Sequence, residues 1–178
     1  MKKLLFVLSL MVTVLYGYSY NDLLIKAQSS IFPKIMLLDK KLEEKLVEGL
    51  VVYSIAYEDE DKAIAEMLKN RIESLYQGRL GQYGLRVQVV PFKALKSGIR
   101  TTGLYVLNSS ESLEGIGKMA REEGILTFAY DMENLKQGIL LSMMVEKSAV
   151  LYLNKENLPR EKVDFVEALY QIVRFAVN

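Results

Sequence analysis

Four separate runs of apolar, β-branched and aromatic residues, two of their three intervals filled by amphipathic helical patterns, constrain this fold most. Gly49 to Tyr57 is an unbroken run of this kind and reads as a buried strand. Leu85-Arg86-Val87-Gln88-Val89 alternates apolar with polar, as a half-buried or edge strand does, and Pro91 closes it. Gly103 to Leu107 and Ile125 to Tyr130 complete the set. Between the first two runs, Ile64, Met67, Leu68, Ile72 and Leu75 fall at helical spacing, with Asp59 as the cap and an end between Gly78 and Gly84. Between the last two, Leu113, Ile116, Met119 and Ala120 mark a second helix, capped by Asn108-Ser109-Ser110 and stopped at Gly124. Lys93 to Arg100 is a short helix or loop. Strand alternating with helix implies a mostly parallel sheet covered on both faces, because each parallel crossover lays a helix on the sheet.

The flanks extend this plan. Tyr20 to Lys41 is helical in pattern (Leu23, Leu24, Ala27, Ile31, Ile35, Leu38), capped by Asn21 or Asp22. Pro33 inside it predicts a helix to about Phe32 and a kink or second turn beyond. After Asp131, Ile139–Val145 and Ala149–Leu153 are two strands joined by Glu146-Lys147-Ser148, the length of a hairpin turn. Pro159 opens a last helix that buries Val163, Val166, Leu169, Tyr170 and Val173. The expected fold is one α/β domain over 20–178, with no internal repeat or linker. Its mostly parallel sheet is flanked by helices and finished by an antiparallel hairpin and a closing helix.

The first nineteen residues read as an export leader: Lys2 and Lys3, an uncharged apolar stretch from Leu4 to Tyr16, then Gly17-Tyr18-Ser19 before Tyr20. The apolar stretch is shorter than the roughly 20 residues that span a bilayer, so cleavage is favoured over an uncleaved anchor. Without a Cys near the junction, acylation at that point is closed. The expected location is the periplasm. With 23 basic and 22 acidic residues the chain is near neutral, and nothing in it points to nucleic acid, which needs a clustered positive surface. It has no His and no Cys, which removes the commonest general base, zinc ligand and thiol nucleophile. Gly-x-Ser-x-Gly elbows, phosphate loops and dinucleotide fingerprints are also missing, so the expectation is a non-enzyme without cofactor or resident metal.

The last third resembles the YfiR family of small secreted proteins. The likeness is carried by Gly138-Ile139-Leu140-Leu141, by Val150-Leu151-Tyr152-Leu153-Asn154 and by the apolar closing helix. Phe32-Pro33 is similar to the aromatic-Pro pair that ends that family's first helix, and the strands fall in matching order. Gln137 stands where the family often has Gly, Phe32 replaces a frequent Trp, and the disulfides of some members have no counterpart. The resemblance implies a fold like one lobe of a periplasmic binding protein. It also implies a homodimer that docks on the periplasmic domain of an inner-membrane signalling protein, typically a diguanylate cyclase acting in cyclic-di-GMP signalling.

Two groups of residues are candidates for binding. In open α/β sheets ligands collect at the carboxyl ends of the strands. Glu58 and Asp59 follow the first strand, Asn108, Ser109 and Ser110 the third, and Tyr130 and Asp131 the fourth. Together they form a rim for a small molecule or for Mg²⁺ or Ca²⁺. The plainer reading of the same residues is helix capping and compensation of the helix dipole. Lys93, Lys96 and Arg100, interleaved with Phe92, Leu95 and Ile99, offer a basic surface to an acidic partner or to anionic lipid headgroups; the plainer reading there is a solvated loop. Gly138 is expected to serve backbone geometry, and Asn154 to turn the chain out of its strand.

Overall fold

Val51, Tyr53, Ile55 and Tyr57 leave one face of β1 (Leu50–Tyr57), Val52, Ser54 and Ala56 leave the other, and all are buried. A strand buried on both faces must lie inside a layered sheet. In the computed structural model, which describes residues 19–95, 97–159 and 161–176, β1 is central. The expected leader, apart from Ser19, and the candidate Lys96 lie outside the described residues. On one side β1 pairs in parallel with β3 (Tyr83–Pro91), beyond which β2 (Arg79–Leu80) adds a two-residue antiparallel edge. On the other it pairs in parallel with β4 (Gly103–Val106), followed by β5 (Leu126–Ala129) and β6 (Leu141–Val145). The chain then turns at 146–148 and β7 (Ala149–Asn154) returns antiparallel. The order is β2-β3-β1-β4-β5-β6-β7-β8, with β8 (Val173–Ala176) parallel to β7 at the far edge. The fold is thus one α/β domain with a mostly parallel sheet and a C-terminal hairpin.

Helices α1 (Asp22–Met36) and α2 (Lys62–Tyr76) cover one face. Ile25, Phe32, Ala65, Leu68 and Ile72 join Tyr53, Tyr105 and Phe128 there in the larger core. Phe32 stacks on Phe128 with centroids 5.0 Å apart, and Tyr105 and Tyr53 flank the pair. Asn21 caps α1, its side-chain oxygen accepting from Leu24 N at 3.0 Å. The other face is thinner. It carries α3 (Phe92–Leu95) and α4 (Glu114–Glu123), which pack Leu95, Leu113 and Ala120 on Ala56, Leu104 and Val106. A short α5 (Glu167–Ile172) precedes β8.

Three expectations are corrected. Helix α1 does not end at Phe32: it runs through Pro33 to Met36, because Phe32, Ile35 and Met36 are all buried and their packing outweighs the backbone bond that Pro33 forgoes. Asn108-Ser109-Ser110 does not cap α4, which starts at Glu114; Ser112 accepts there from Glu114 N at 3.3 Å. Nor does Pro159 open a helix. Residues 163–166 are held against the exit of α1, where Lys40 N donates to Asp164 O at 2.8 Å and Val166 N to Leu38 O at 2.9 Å. Val163 and Phe165, two apart, are buried as in a strand, and the closing helix is reduced to α5.

Gly117 on α4 touches Gly138, whose φ of +93° ends the 3₁₀ turn Met132–Gln137 before β6. A Cβ on Gly117 would lie 2.8 Å from the Gly138 backbone, which has no flexible side chain to swing aside. Gly117→Ala is therefore expected to lower stability by about 1–3 kcal/mol, read as a lower urea midpoint at unchanged slope.

Candidate functional site at the carboxyl ends of the strands

Strand order reverses at β1. The crossover through α2 places β3 on one side, and the crossover through α3 returns to place β4 on the other. The loops leaving β1 and β4 part there, which in this class of fold opens a crevice suited to a ligand. A polar cleft of about 270 Å³ fills the gap, lined by Tyr57 to Glu60 after β1, by Pro91 to Lys93 after β3, and by Ser109 to Glu111 after β4. Sharing Phe92, Ser109 and Glu111 with it, a larger groove of about 550 Å³ runs between α3 and α4. Its apolar surface comes from Phe92, Leu95, Leu113, Ile116 and Met119, and Ser112, Glu111 and Glu123 supply polar edges. The groove exists because the β3-to-β4 crossover holds a helix of only four residues, too short to cover this face beside α4.

Glu58 organises the loop after β4. Its Oε1 accepts from Ser109 Oγ at 2.8 Å, Ser110 N at 2.6 Å and Ser110 Oγ at 2.9 Å. Partial burial pushes this carboxyl up, but the hydrogen bonds from Ser109 and Ser110 outweigh it and hold the carboxyl below its ordinary value. A depressed carboxyl stabilises the fold above the unfolded-state value and loses that contribution as pH falls through the folded one. Glu58→Gln is accordingly expected to cost about 1 kcal/mol at neutral pH. In thermal unfolding followed against pH, the difference from the parent protein closes in acid.

The other predicted residues scatter. Asp59 pairs with Lys93, N to O 2.9 Å, at the cleft mouth, and its hydrogen bond, with its charge, raises the lysine above its ordinary value. Arg100 lies before β4, at the opposite end of the strands, 3.5 Å from Glu48. The two described members of the basic triad thus face different ends of the sheet, each beside an acid. Asp131 is exposed and caps the following 3₁₀ turn, accepting from Glu133 N at 2.9 Å. Tyr130 is buried, and its hydroxyl accepts from Asn21 N at 2.7 Å. Asn108 donates its N–H to Tyr20 Oη at 3.3 Å. Asn154 ends β7, accepting from Glu156 N at 2.9 Å and donating to Leu135 O at 3.2 Å. Of the rim, Glu58, Asp59 and Ser109 meet at the cleft and Tyr130 and Asp131 do not. Among the described residues no three acidic side chains converge as a metal site, and no helix is long and apolar enough to cross a membrane.

No protein-family model and no curated protein matches the chain. Several solved structures share its fold. A conserved domain protein from Vibrio cholerae superposes with a TM-score of 0.59 at 12% identity, over 85% of this chain and 59% of that one. The ABC domain of a Streptococcus pneumonia protein, in complex with L-Trp, gives 0.51 at 10% identity, over 82% of this chain and 62% of that one. The chain spans about three fifths of the length of each. At such identities the likeness is one of fold.

Proposed function

We propose that this chain is a non-catalytic binding protein of the periplasm that takes a small amphipathic cation, an apolar or aromatic body bearing an amine, into the groove between α3 and α4. The observation that carries the reading is the groove itself, with Leu113, Ile116 and Met119 beside Glu111 and Glu123, opening beside the cleft where the strand order reverses. The Glu123 carboxylate favours a positive charge over a negative one, and Phe92 adds an aromatic side chain to the lining. The tryptophan held by the pneumococcal domain supports amino-acid-like ligands as first probes. The leader-like N-terminus supports the location, and the lack of His and Cys supports binding rather than catalysis.

Thermal unfolding with tryptamine, L-Trp and indole-3-acetate tests the reading. Tryptamine raises the melting temperature saturably, L-Trp less, and indole-3-acetate not at all, because a ligand that binds only the folded state stabilises it. Met119→Trp fills the groove and removes the response. No shift with tryptamine, or an equal shift with indole-3-acetate, overturns the reading.

A second reading is favoured by the sheet edge. Strand β8 has no partner strand on its outer side among the described residues, and Ile172 and Phe175 there are 66% and 41% exposed. Such an edge accepts a strand or apolar surface of another protein. With the YfiR resemblance, the occupant would be the periplasmic domain of a membrane signalling protein that the chain regulates as a homodimer. In-cell cross-linking followed by mass spectrometry would then recover that protein with the parent chain and lose it with Ile172→Lys; recovery of the chain alone contradicts this reading.

A further inference from the structure

Asp61 stands at the N-cap of α2, yet its carboxylate makes no capping bond. It is 3% exposed, which is costly for a carboxylate without a partner. Its partner is the Tyr20 hydroxyl, which donates to Asp61 Oδ2 and accepts from Asn108 N at 3.3 Å. The Tyr20 ring lies edge-on to Tyr130 with centroids 4.7 Å apart, and Tyr20 packs against the larger core. Asp61 follows β1, Asn108 follows β4 and Tyr130 follows β5, so the elements of the sheet supply a carboxylate acceptor, an N–H donor and an aromatic wall. That is the full complement for recognising a phenol.

The occupant, by contrast, hangs from the chain. Tyr20 precedes α1 by one residue outside the helix, and rotating it away breaks no helix or strand bond. Tyr20 packs against the larger core, whereas the groove is lined by Leu95, Leu113, Ile116 and Met119 of the smaller one, so the crevice and the groove lie against different faces of the sheet. We propose that the crevice between the carboxyl ends of β1, β4 and β5 is a second binding site, for a small phenol-bearing molecule, which Tyr20 fills as a ligand built into the chain. An external phenol gains entry by displacing Tyr20. The same loss of Tyr20 releases the Asn108 N–H and loosens the loop whose other flank lines the cleft.

The test uses the full-length chain carrying Tyr20→Ala, with 4-methylphenol as the probe and toluene as its counterpart without a hydroxyl. Tyr20→Ala lowers the melting temperature, and 4-methylphenol restores it saturably, whereas toluene requires roughly 10-fold more or fails, as the loss of a hydrogen bond to a carboxylate demands. The parent chain responds only at higher 4-methylphenol, because the tethered Tyr20 competes at a high effective concentration. Tyr20→Phe keeps the ring and so guards against a variant that does not fold. It loses the Asp61 bond, and 4-methylphenol must compete at roughly 10-fold lower concentration than in the parent, read from the Asn108 and Tyr130 amide signals. Equal response to toluene and 4-methylphenol in Tyr20→Ala, or identical competition curves for Tyr20→Phe and the parent, would overturn the proposal.

Discussion

Asp39→Ala is expected to be among the most damaging single changes to this protein, lowering its stability by about 3–5 kcal/mol. The Asp39 side chain is fully buried and pairs with Lys45, itself only 10% exposed. One carboxylate oxygen takes the Lys45 ammonium, and the other accepts from Lys41 N at 3.1 Å and Asp164 N at 3.0 Å. Burial pulls the lysine below its ordinary value, and Asp39 only partly restores it. Alanine would leave a buried ammonium and two N–H groups without their acceptor, and would cut the tie between the exit of α1 and the segment leading to α5. Replacing a buried pair on both sides by apolar groups is much milder than breaking it on one side. Asp39→Ala with Lys45→Met is therefore expected to recover part of the loss but not all, since Lys41 N and Asp164 N stay unpaired. Urea midpoints for the parent, the single and the double variants check this; a single-variant loss below about 1 kcal/mol would mean the pair is solvated in solution.

Phe128→Ala is expected to cost about as much, roughly 3–5 kcal/mol. Phe128 is fully buried on β5, stacked on Phe32 of α1 and 5.9 Å between ring centroids from Tyr53 of β1. It is where the first helix meets the centre of the sheet, so truncation opens a cavity that two elements would have to close together. Phe92→Ala gives the contrast. Phe92 is half-buried on the groove and only flanks the smaller core, so its loss should cost less, about 1 kcal/mol, and register in ligand affinity as well.

Strands β1, β4 and β5 were legible because burial on both faces leaves continuous apolar runs, the hairpin because two apolar runs flank a short polar turn, and α2 and α4 because one face of each is apolar at helical spacing. Val163, Val166, Leu169 and Tyr170 also stand three and four apart, which mimics a helix. The period of two between Val163 and Phe165 was the truer signal, since this stretch is extended against the exit of α1. Strand β8, four residues at the end of the described chain, is too short to carry a pattern. At the site, Glu58, Asp59 and Ser109 could be foreseen from the rule that places ligands at strand ends. The groove could not: it depends on α3 being a single turn, and Ile116 and Met119 look like core residues until the cover over them proves missing. Tyr20 was hidden for another reason. Beside Tyr16 and Tyr18 it read as part of a cleavage region, and its partners Asp61, Asn108 and Tyr130 lie 41 to 110 positions away.

The most direct test of the account is a ¹H–¹⁵N titration of the parent protein and Met119→Trp with tryptamine. Saturable shifts are expected at Phe92, Ser109, Leu113 and Ile116 in the parent and none at these amides in Met119→Trp. Shifts that persist in Met119→Trp, or that gather on β8 instead, would contradict it.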